Sequence, residues 1–307
     1  MASRDDARDR DEARVDTPPR SAPRTVAPRP DEASRGASSE AALPGSGAGA
    51  GPNVVPSFFR GMRAAFVFLT RVPVGGFPYG RADWRWATAH FPLVGLVLGG
   101  VLGGAFVLLH PLGALASAAL TLGLSLLLTG AFHEDGLADT SDALGGAYDR
   151  ENVLRILKDS RVGSFGAIAL CFSFVTRAAL LGELPPSLET VAAVAFAGSL
   201  ARAVPLWQMV RVPYATEQGS KSRDVARAGP VQAAVGSLYP LALAAALWST
   251  GSASWPRLLA AGLSCLFIGA LTEWRYRKRV GGITGDFLGT TEQLCEIAAL
   301  AALVWGR

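Results

Sequence analysis

Long apolar runs recur along this chain after residue 56, and they limit its fold more than any other feature. A helix needs about 20 mostly apolar residues to cross the hydrocarbon core of a bilayer. We therefore predict an all-α polytopic membrane helix bundle with about seven spans and an interfacial or re-entrant N-terminal helix. The predicted spans are Phe91–Leu109, Gly113–Phe132, Ser164–Leu181, Thr190–Met209, Val235–Thr250, Leu258–Trp274 and Glu292–Trp305, and the N-terminal helix falls within Phe58–Val74.

The N-terminal helix is set apart from the spans by its charges. Arg60, Arg63 and Arg71 interrupt its apolar sequence, and a helix with that composition favours the interface over the hydrocarbon core. Residues 1–55 differ again, because they contain no aromatic residue and few aliphatic residues besides Ala. Such a segment buries too little apolar surface to offset its chain entropy. We predict a disordered tail over 1–55 and a membrane-embedded catalytic domain over 56–307.

The tail does not resemble a targeting segment. No apolar stretch of about 7–15 residues follows its early arginines, as a secretory signal requires, and its many Asp and Glu residues argue against a transit peptide. The basic residues of the whole chain are dispersed and do not form one stripe with interleaved aromatics. Nucleic acid is therefore not predicted as a partner.

The loops between the predicted spans alternate in basic residues. Loops 133–163, 210–234 and 275–291 contain four Lys or Arg residues each, whereas 110–113, 182–189 and 251–256 contain none. By the positive-inside rule, the basic loops face the cytoplasm. The chain is thus predicted to lie in a bacterial inner membrane, with the polar segments of its basic loops on the cytoplasmic side.

The sequence HEDGLADTSD directly follows the second predicted span. If it is helical, Asp135, Asp139 and Asp142 share one face of the helix. No Lys or Arg occurs between Glu134 and Asp149 to offset these charges, so the arrangement favours an external cation. Ligands with only oxygen donors favour Mg²⁺ or Mn²⁺ over zinc. The candidate metal ligands are the three aspartates, with Glu134 as a helper; the alternative is an acidic loop that only keeps the membrane edge solvated.

Phosphate-binding chemistry follows the acids along the chain. Lys158, Ser160 and Arg161 supply two cations and a hydroxyl, and the adjacent glycines free backbone amides for anions. Carboxylates that bind a metal, next to groups that bind phosphate, are typical of phosphoryl transfer. This combination favours a catalytic site over the simple acidic loop.

Two further polar segments share the predicted cytoplasmic side. GGITGD, at 281–286, contains Thr284 and Asp286 as candidate substrate-binding residues, and its glycines allow close backbone approach. The second segment, Pro213–Lys221, is a polar loop of the kind that contacts substrates. Each of the two segments also has a purely structural alternative as a turn between helices.

Three side chains at or within the spans have two alternative roles. His133 precedes the acids and is a candidate general base, although it could instead orient a carboxylate. Arg177 and Arg202 lie inside predicted spans, where a charge is costly and marks a functional candidate. We assign Arg202 to phosphate binding. The alternative for both arginines is a structural ion pair with a carboxylate such as Glu183.

The segments FHEDGLADTSDALGG and ILKDSRVGSFGAIAL together resemble the central motif of the cobalamin synthase family, the adenosylcobinamide-GDP ribazoletransferases. Three other stretches are similar to the same family, in the same order: AFVFLTRVPV at 65–74, SLARAVPLWQMVRVPYATEQG at 199–219 and GGITGDFLGTTEQLCE at 281–296. The likeness runs from about residue 57 to the end. It implies an integral membrane enzyme of late vitamin B12 assembly.

The resemblance implies a Mg²⁺-dependent transfer that joins adenosylcobinamide-GDP to α-ribazole, or to its 5′-phosphate, and releases GMP. Mapped onto this sequence, Asp135, Asp139 and Asp142 would hold the metal and Arg161 would neutralise the leaving group, while His133 or an aspartate would accept the proton. Lys158 and Ser160 would bind phosphate. The resemblance leaves open whether the protein forms a homo-oligomer.

Two other protein classes remain as alternatives. The acidic run is similar to the Asp-Gly-x-x-Ala motif of the CDP-alcohol phosphotransferases, although Asp139 stands where that motif has Arg. A cation-coupled secondary transporter would also need membrane carboxylates. Transporters place such groups near the bilayer midplane, often in inverted repeats. Here the acids adjoin a loop and the sequence contains no evident repeat, which favours the transferase.

Overall fold

A computed structural model describes residues 57–215 and 227–306. The predicted tail and the part of the polar loop from 216 to 221 lie outside the described residues. Within these ranges the regular structure is helical, apart from one isolated bridge between Tyr214 and Ile283. The helices are α1 Ser57–Leu69, α2 Arg81–Ala89, α3 Phe91–Leu109, α4 Ala114–Thr129, α5 Phe132–Gly146, α6 Arg150–Ile156, α7 Ser164–Gly182, α8 Leu188–Arg211, α9 Pro230–Ser249, α10 Trp255–Val280 and α11 Gly285–Val304.

The prediction of an all-α polytopic membrane bundle is confirmed. In the described part of the chain, six helices are long and apolar enough to cross a bilayer, and α4 with α5 forms a bent pair that raises the number to seven if the pair is one span. Helix α3 has the predicted bounds. The short last span was predicted to begin at Glu292, whereas α11 begins at Gly285. The protein is therefore an integral membrane protein.

The second predicted span is not straight, which corrects the expectation for Gly113–Phe132. Helix α4 ends at Thr129, and α5 continues at an angle of 94°. The two residues between the helices, Gly130 and Ala131, have φ values of 68° and 57°. This left-handed conformation ends α-helices and is unfavourable for a residue with a Cβ atom, such as Ala131. The turn gives the acidic sequence a helix of its own.

The N-terminal apolar segment forms a helix that is shorter than predicted. Helix α1 has 13 residues and ends at Leu69, so at a rise of about 1.5 Å per residue it cannot cross the hydrocarbon core. It packs closely on α2, since a Cβ atom at Gly61 would lie 2.6 Å from the Cβ of Trp86. This result agrees with a helix that does not span the membrane.

Helices α8 and α11 lie at the centre of the packing. The spanning window of α8 is 78% buried and that of α11 is 67% buried, whereas those of α7, α9 and α10 are each 28% buried. Helix α8 packs tightly on α3, because a Cβ atom at Gly99 would lie 2.5 Å from the carbonyl oxygen of Val194. Close packing through small residues is the usual way in which helices associate inside a membrane. The two central helices carry Arg202, Glu292 and Glu296, which form part of the buried charge that supports the site.

Candidate active site

The acidic helix α5 packs directly on the first turn of α11 through Gly136. A Cβ atom at Gly136 would lie 2.9 Å from the carbonyl oxygen of Asp286, and the hydroxyl of Thr290 donates a hydrogen bond of 2.9 Å to the carbonyl of Gly136. Only glycine permits this backbone approach. The contact brings Asp286, from the GGITGD segment, beside the acids of α5.

Four carboxylates meet where these helices touch, and we call Asp135, Asp139, Asp142 and Asp286 the acid cluster. The carboxylate of Asp139 interacts electrostatically with the other three, and Asp286 also interacts with Asp135. The helical face predicted for the α5 aspartates is confirmed by the continuous helix from Phe132 to Gly146. Within the described residues, no basic side chain forms an ion pair with Asp135, Asp139 or Asp286.

The donor set of the acid cluster fits Mg²⁺ shared with a substrate. In the described ranges, no group of three or more His, Cys, Asp or Glu side chains is arranged so that it could hold a metal ion by itself. Magnesium does not need such a group, because proteins usually bind it through one or two carboxylates together with substrate phosphates and water. The cluster offers oxygen donors whose negative charge no ion pair offsets at Asp135, Asp139 or Asp286.

Asp142 has a second, structural role at the start of α7. Its Oδ2 accepts a hydrogen bond of 2.7 Å from the amide of Gly163, and its Oδ1 accepts one of 2.9 Å from the amide of Gly166. These amides belong to the N-terminal end of α7, where a negative charge is stabilised by the helix dipole. A Cβ atom at Gly163 would lie 2.5 Å from Asp142. Asp142 therefore joins α5 to α7 as well as belonging to the acid cluster.

The predicted phosphate-binding loop lies next to Asp142. Asp142 and Arg161 line the same open cavity of about 510 Å³. The side chains of Lys158 and Ser160 are exposed in this loop. Arg161 is 2.7 Å from Asp159, and this hydrogen-bonded partner lowers the pKa of Asp159 to about 2. The cation that we predicted to bind phosphate is thus already held by an anion of the chain.

The start of α11 is fixed by the other predicted polar segments. The amide of Ile283 donates a hydrogen bond of 2.9 Å to the carbonyl of Pro213, and the amide of Ala215 returns one of 2.8 Å to Ile283. Arg150 donates to the carbonyl of Ala215 over 2.9 Å. A Cβ atom at Gly282 would lie 2.6 Å from Pro213. The predicted close backbone approach is confirmed at Gly282, and GGITGD adjoins the described beginning of the polar loop.

Thr284 acts as the N-cap of α11. Its hydroxyl accepts a hydrogen bond of 3.3 Å from the amide of Phe287 and lies 3.4 Å from Oδ2 of Asp286. A threonine at this position satisfies one of the free amides of the first helical turn. The structure therefore gives Thr284 a clear role in orienting Asp286, whereas substrate binding by these two residues stays a prediction.

Beneath the acid cluster, buried charges link α5 to α7 and α11. The guanidinium of Arg177 lies 3.0 Å from Glu134 and 3.5 Å from Glu296. The amide of Gln293 also reaches Glu134, at 3.4 Å. The carboxylate predicted as a metal helper is thus engaged by an arginine. The structural ion pair predicted as the alternative role of Arg177 is confirmed, but its partners are Glu134 and Glu296 rather than Glu183. Buried charges of this kind persist because they compensate one another.

A second buried group joins the first turn of α5 to α8 and α11. Oε1 of Glu292 lies 2.9 Å from Arg202, and its Oε2 lies 3.2 Å from Nδ1 of His133. Arg202 also donates a hydrogen bond of 3.0 Å to the carbonyl of Gly198. We call these three side chains, with Glu134, Arg177 and Glu296, the buried charge network. Phosphate binding by Arg202 and base catalysis by His133 stay predictions, but both side chains are held by protein partners.

Sequence reasoning missed the acidic side of this network. Glu292 and Glu296 lie four residues apart, on one face of α11, and were counted only as part of the last and shortest predicted span. Ionisable residues inside a membrane helix usually face a partner in the bundle. Two carboxylates in one span and single arginines in two others therefore carried a signal for this pairing.

The fold and the site together define a polytopic integral membrane protein with a carboxylate-rich site supported by internally paired charges. The sequence profile of the family described as cobalamin-5-phosphate synthase matches residues 61–304. The chain belongs to this family, and it is an enzyme of cobalamin biosynthesis. This finding confirms the resemblance drawn from the sequence motifs.

Individual relatives of this chain also point to this family. Proteins named adenosylcobinamide-GDP ribazoletransferase are 39% identical in Leptothrix cholodnii, over 76% of this chain and 91% of the relative, and 38% identical in Polaromonas naphthalenivorans, over 78% and 96%. The protein of that name from Azorhizobium caulinodans is 41% identical, over 80% of this chain and 95% of its own length. No solved structure matches the chain.

Proposed function

We propose that this protein joins adenosylcobinamide-GDP to α-ribazole, or to its 5′-phosphate, and releases GMP. The names of relatives that align over 91% or more of their own length support this assignment. The observation that carries it is the acid cluster, in which Asp135, Asp139 and Asp286 meet without a protein cation and adjoin a loop that contains Arg161. Such a site suits a diphosphate substrate bound together with a divalent cation.

We further propose that the site faces the cytoplasm of a bacterial inner membrane. Asp142 lies near the C-terminal end of α5, which leads into the basic segment 147–163, and Asp286 lies in the first turn of α11, which follows the basic C-terminal end of α10 at 275–280. The loops at the other ends of the spans contain no such residue over 182–187 or 250–254. The positive-inside rule assigns the basic side to the cytoplasm, where a nucleotide-bearing substrate would be available.

One or two carboxylates of the acid cluster, from among Asp135, Asp139 and Asp286, would hold Mg²⁺ in the proposed site together with the phosphates of the substrate. When bound there, the ion would neutralise negative charge on the diphosphate of the substrate. Arg161 would exchange Asp159 for a phosphate oxygen, since both partners are oxyanions and the exchange keeps the arginine paired. Lys158 and Ser160, exposed in the same loop, would add a cation and a hydroxyl to this anion site.

The bond chemistry is a displacement at phosphorus. A hydroxyl oxygen of α-ribazole attacks the phosphorus that carries the cobinamide arm, forming a P–O bond while the P–O bond to GMP breaks. The hydroxyl proton passes to a carboxylate of the acid cluster or to His133, and the leaving GMP takes the negative charge. Arg161 stabilises this charge as it develops, which is the main contribution a protein makes to phosphoryl transfer.

The transporter alternative is weaker in view of the buried charge network. A coupling site needs a charge that can change its partner during the transport cycle. Here the buried arginines, Arg177 and Arg202, each lie within 3.0 Å of a glutamate oxygen. Charges compensated in this way inside the bundle suit a structural support rather than a site that exchanges a coupling ion.

The proposal is tested by measuring GMP release from adenosylcobinamide-GDP and α-ribazole by the purified protein in proteoliposomes. Release that needs both substrates and stops on chelation of Mg²⁺ is the expected result. Asp139→Asn should lower the rate about a thousandfold, because metal stabilisation contributes several kcal/mol to such transfers. Glu151→Gln, at an exposed acid of α6, is the matched control and should keep its rate.

Two results would contradict the proposal separately. Failure of the folded wild-type protein to release GMP in the presence of both substrates would refute the transfer activity. Wild-type rates in folded Asp139→Asn, with an unchanged Mg²⁺ requirement, would refute the assignment of the metal site while leaving the activity intact.

A further inference from the structure

An apolar groove of about 520 Å³ lies on the opposite face of α5 from the acid cluster. Leu137 and Leu144 border it, and their positions differ by about half a turn of helix from those of Asp135 and Asp142. Helices α7, α10 and α11 supply the other walls through Phe172, Leu271, Leu294 and Ile297. The groove is therefore a separate feature on the back of the helix that carries the acids.

The groove opens toward the lipid. Its outer walls belong to α7 and α10, whose spanning windows are only 28% buried. Phe172 and Leu271, which line it, are 61% and 46% exposed. In a membrane helix, large apolar side chains with this exposure face acyl chains. The occupant of the groove must therefore be a molecule that is present within the bilayer.

A single cation stands at one end of the groove. Arg275 lines it near the C-terminal end of α10, and among the described residues it has no hydrogen-bonding or ion-pairing partner. Arg277, on the same helix, differs because it pairs with Glu273 at 3.1 Å. Trp274, also in the lining, is 53% exposed. Tryptophan and arginine together are typical of the level of lipid headgroups.

The groove also contains a polar atom with no partner. The hydroxyl of Thr140 borders it, is buried, and makes no hydrogen bond within the described part of the chain. A buried hydroxyl without a partner is unfavourable by about 1–3 kcal/mol in proteins generally. Thr140 thus leaves an unsatisfied hydroxyl in the wall of the groove.

We propose that the groove binds an anionic phospholipid, with an acyl chain along the back of α5 and the headgroup phosphate at Arg275. The charge of the free arginine selects an anionic lipid over a zwitterionic one, and the apolar walls select a lipid over a free phosphate ion. The proposal goes beyond the transfer reaction, because the lipid would be a bound structural partner of the helix that carries Asp135 and Asp139.

The test measures lipid retention without any substrate, so its outcome is independent of the proposed activity. The full-length protein is released from nanodiscs of equal phosphatidylglycerol and phosphatidylcholine content, and retained lipids are counted by native mass spectrometry. We expect preferential retention of phosphatidylglycerol. Arg275→Gln should lower its affinity about fivefold, the effect expected for one arginine near an anionic lipid surface.

Two further variants separate the effect of the charge of Arg275 from the effect of the shape of the groove. Ala169→Phe places bulk in the groove wall and should lower retention of phosphatidylglycerol while keeping the net charge. Arg155→Gln removes one charge from α6, outside the groove lining, and should retain the lipid as the wild type does. Equal retention of both lipids by the wild type, or undiminished phosphatidylglycerol binding in folded Arg275→Gln and Ala169→Phe, would overturn the proposal.

Discussion

Replacing Arg202 by methionine should destabilise this protein by about 3–5 kcal/mol, the usual cost of removing one partner from a buried ion pair. Arg202 is 7% exposed and Glu292 is 1% exposed. Their closest oxygen and nitrogen atoms are 2.9 Å apart. Without the arginine, Glu292 keeps His133 and the amide of Gln293 as direct polar contacts, and Arg177 interacts with it electrostatically without an ion-pair contact. Its charge would then lack a directly contacting arginine inside the membrane.

A pair of the same length at the surface of the same helix provides the matched control. Arg211, also on α8, lies 2.9 Å from Glu273, but its side chain is 49% exposed. Exposed pairs contribute only about 0–1 kcal/mol, because water competes for both charges. Arg211→Met should therefore change stability little. Helix, substitution and pair distance are held constant, and the control differs from Arg202→Met in burial and in the second arginine, Arg277, that Glu273 keeps at 3.1 Å.

A double variant distinguishes unpaired charge from lost packing. Arg202→Met combined with Glu292→Leu removes both charges, and apolar replacement of a buried pair is often neutral or stabilising. Thermal melting in detergent should show Arg202→Met about 10 °C below the wild type, with most of this loss recovered in the double variant. A melting temperature of Arg202→Met equal to that of Arg211→Met would refute the reasoning, as would a double variant no more stable than the single one.

Three other predictions follow from the site. Gly136→Ala should lower turnover about a hundredfold, because its Cβ atom would meet the backbone of Asp286 and move the acid cluster apart. The control Gly289→Ala should change turnover little, because the nearest atom to its Cβ would be an ordinary 3.4 Å away. Equal losses of turnover in the two variants would contradict this reasoning. Asp159→Asn should free Arg161 and lower KM for the diphosphate substrate by about two- to fivefold. Because the pKa of Asp159 is about 2, its carboxylate is ionised at all pH values well above 2, and the decrease in KM should be constant from about pH 5 to pH 8. A decrease in KM that varies over this pH range would refute the exchange of Asp159 for phosphate. With the three native cysteines replaced, Tyr148→Cys should be protected from an impermeant thiol reagent in intact cells, and Glu189→Cys should be labelled by it. Labelling of Tyr148→Cys with protection of Glu189→Cys would refute a cytoplasmic site.

The spans were predictable where apolar sequence and helix coincide. Helix α3 has the predicted bounds because Gly, Leu and Val fill it from Phe91 to Leu109. Helix α11 was predicted too short because hydropathy counts its polar residues as unfavourable. In the structure these residues are satisfied within the bundle: Gln293 contacts Glu134, and Thr291 donates a hydrogen bond of 3.1 Å to Thr272. Pairing across helices cannot be read from one segment alone.

The site was predictable within α5 and only partly beyond it. Helical spacing placed Asp135, Asp139 and Asp142 on one face. Asp286 lies close to these aspartates because Gly136 has no side chain, and this role of Gly136 can be recognised only once α11 is packed against it. Gly130 is a sequence signal for the end of α4, but the left-handed conformation of Ala131 has none, since it breaks the local preference of that residue.

The position of Glu292 in the last described helix has a consequence for how this chain is made. Arg177 follows one of its partners, Glu134, in the order of synthesis, but Arg202 enters the membrane about 90 residues before Glu292. Until then, an arginine at the centre of a helix opposes insertion by about 3 kcal/mol. Helix α8 therefore bears this cost until α11 supplies Glu292 and completes the bundle. Ribosome-bound chains that end before residue 285 should accordingly be recognised as unfinished by membrane proteases, whereas chains that include α11 should escape them.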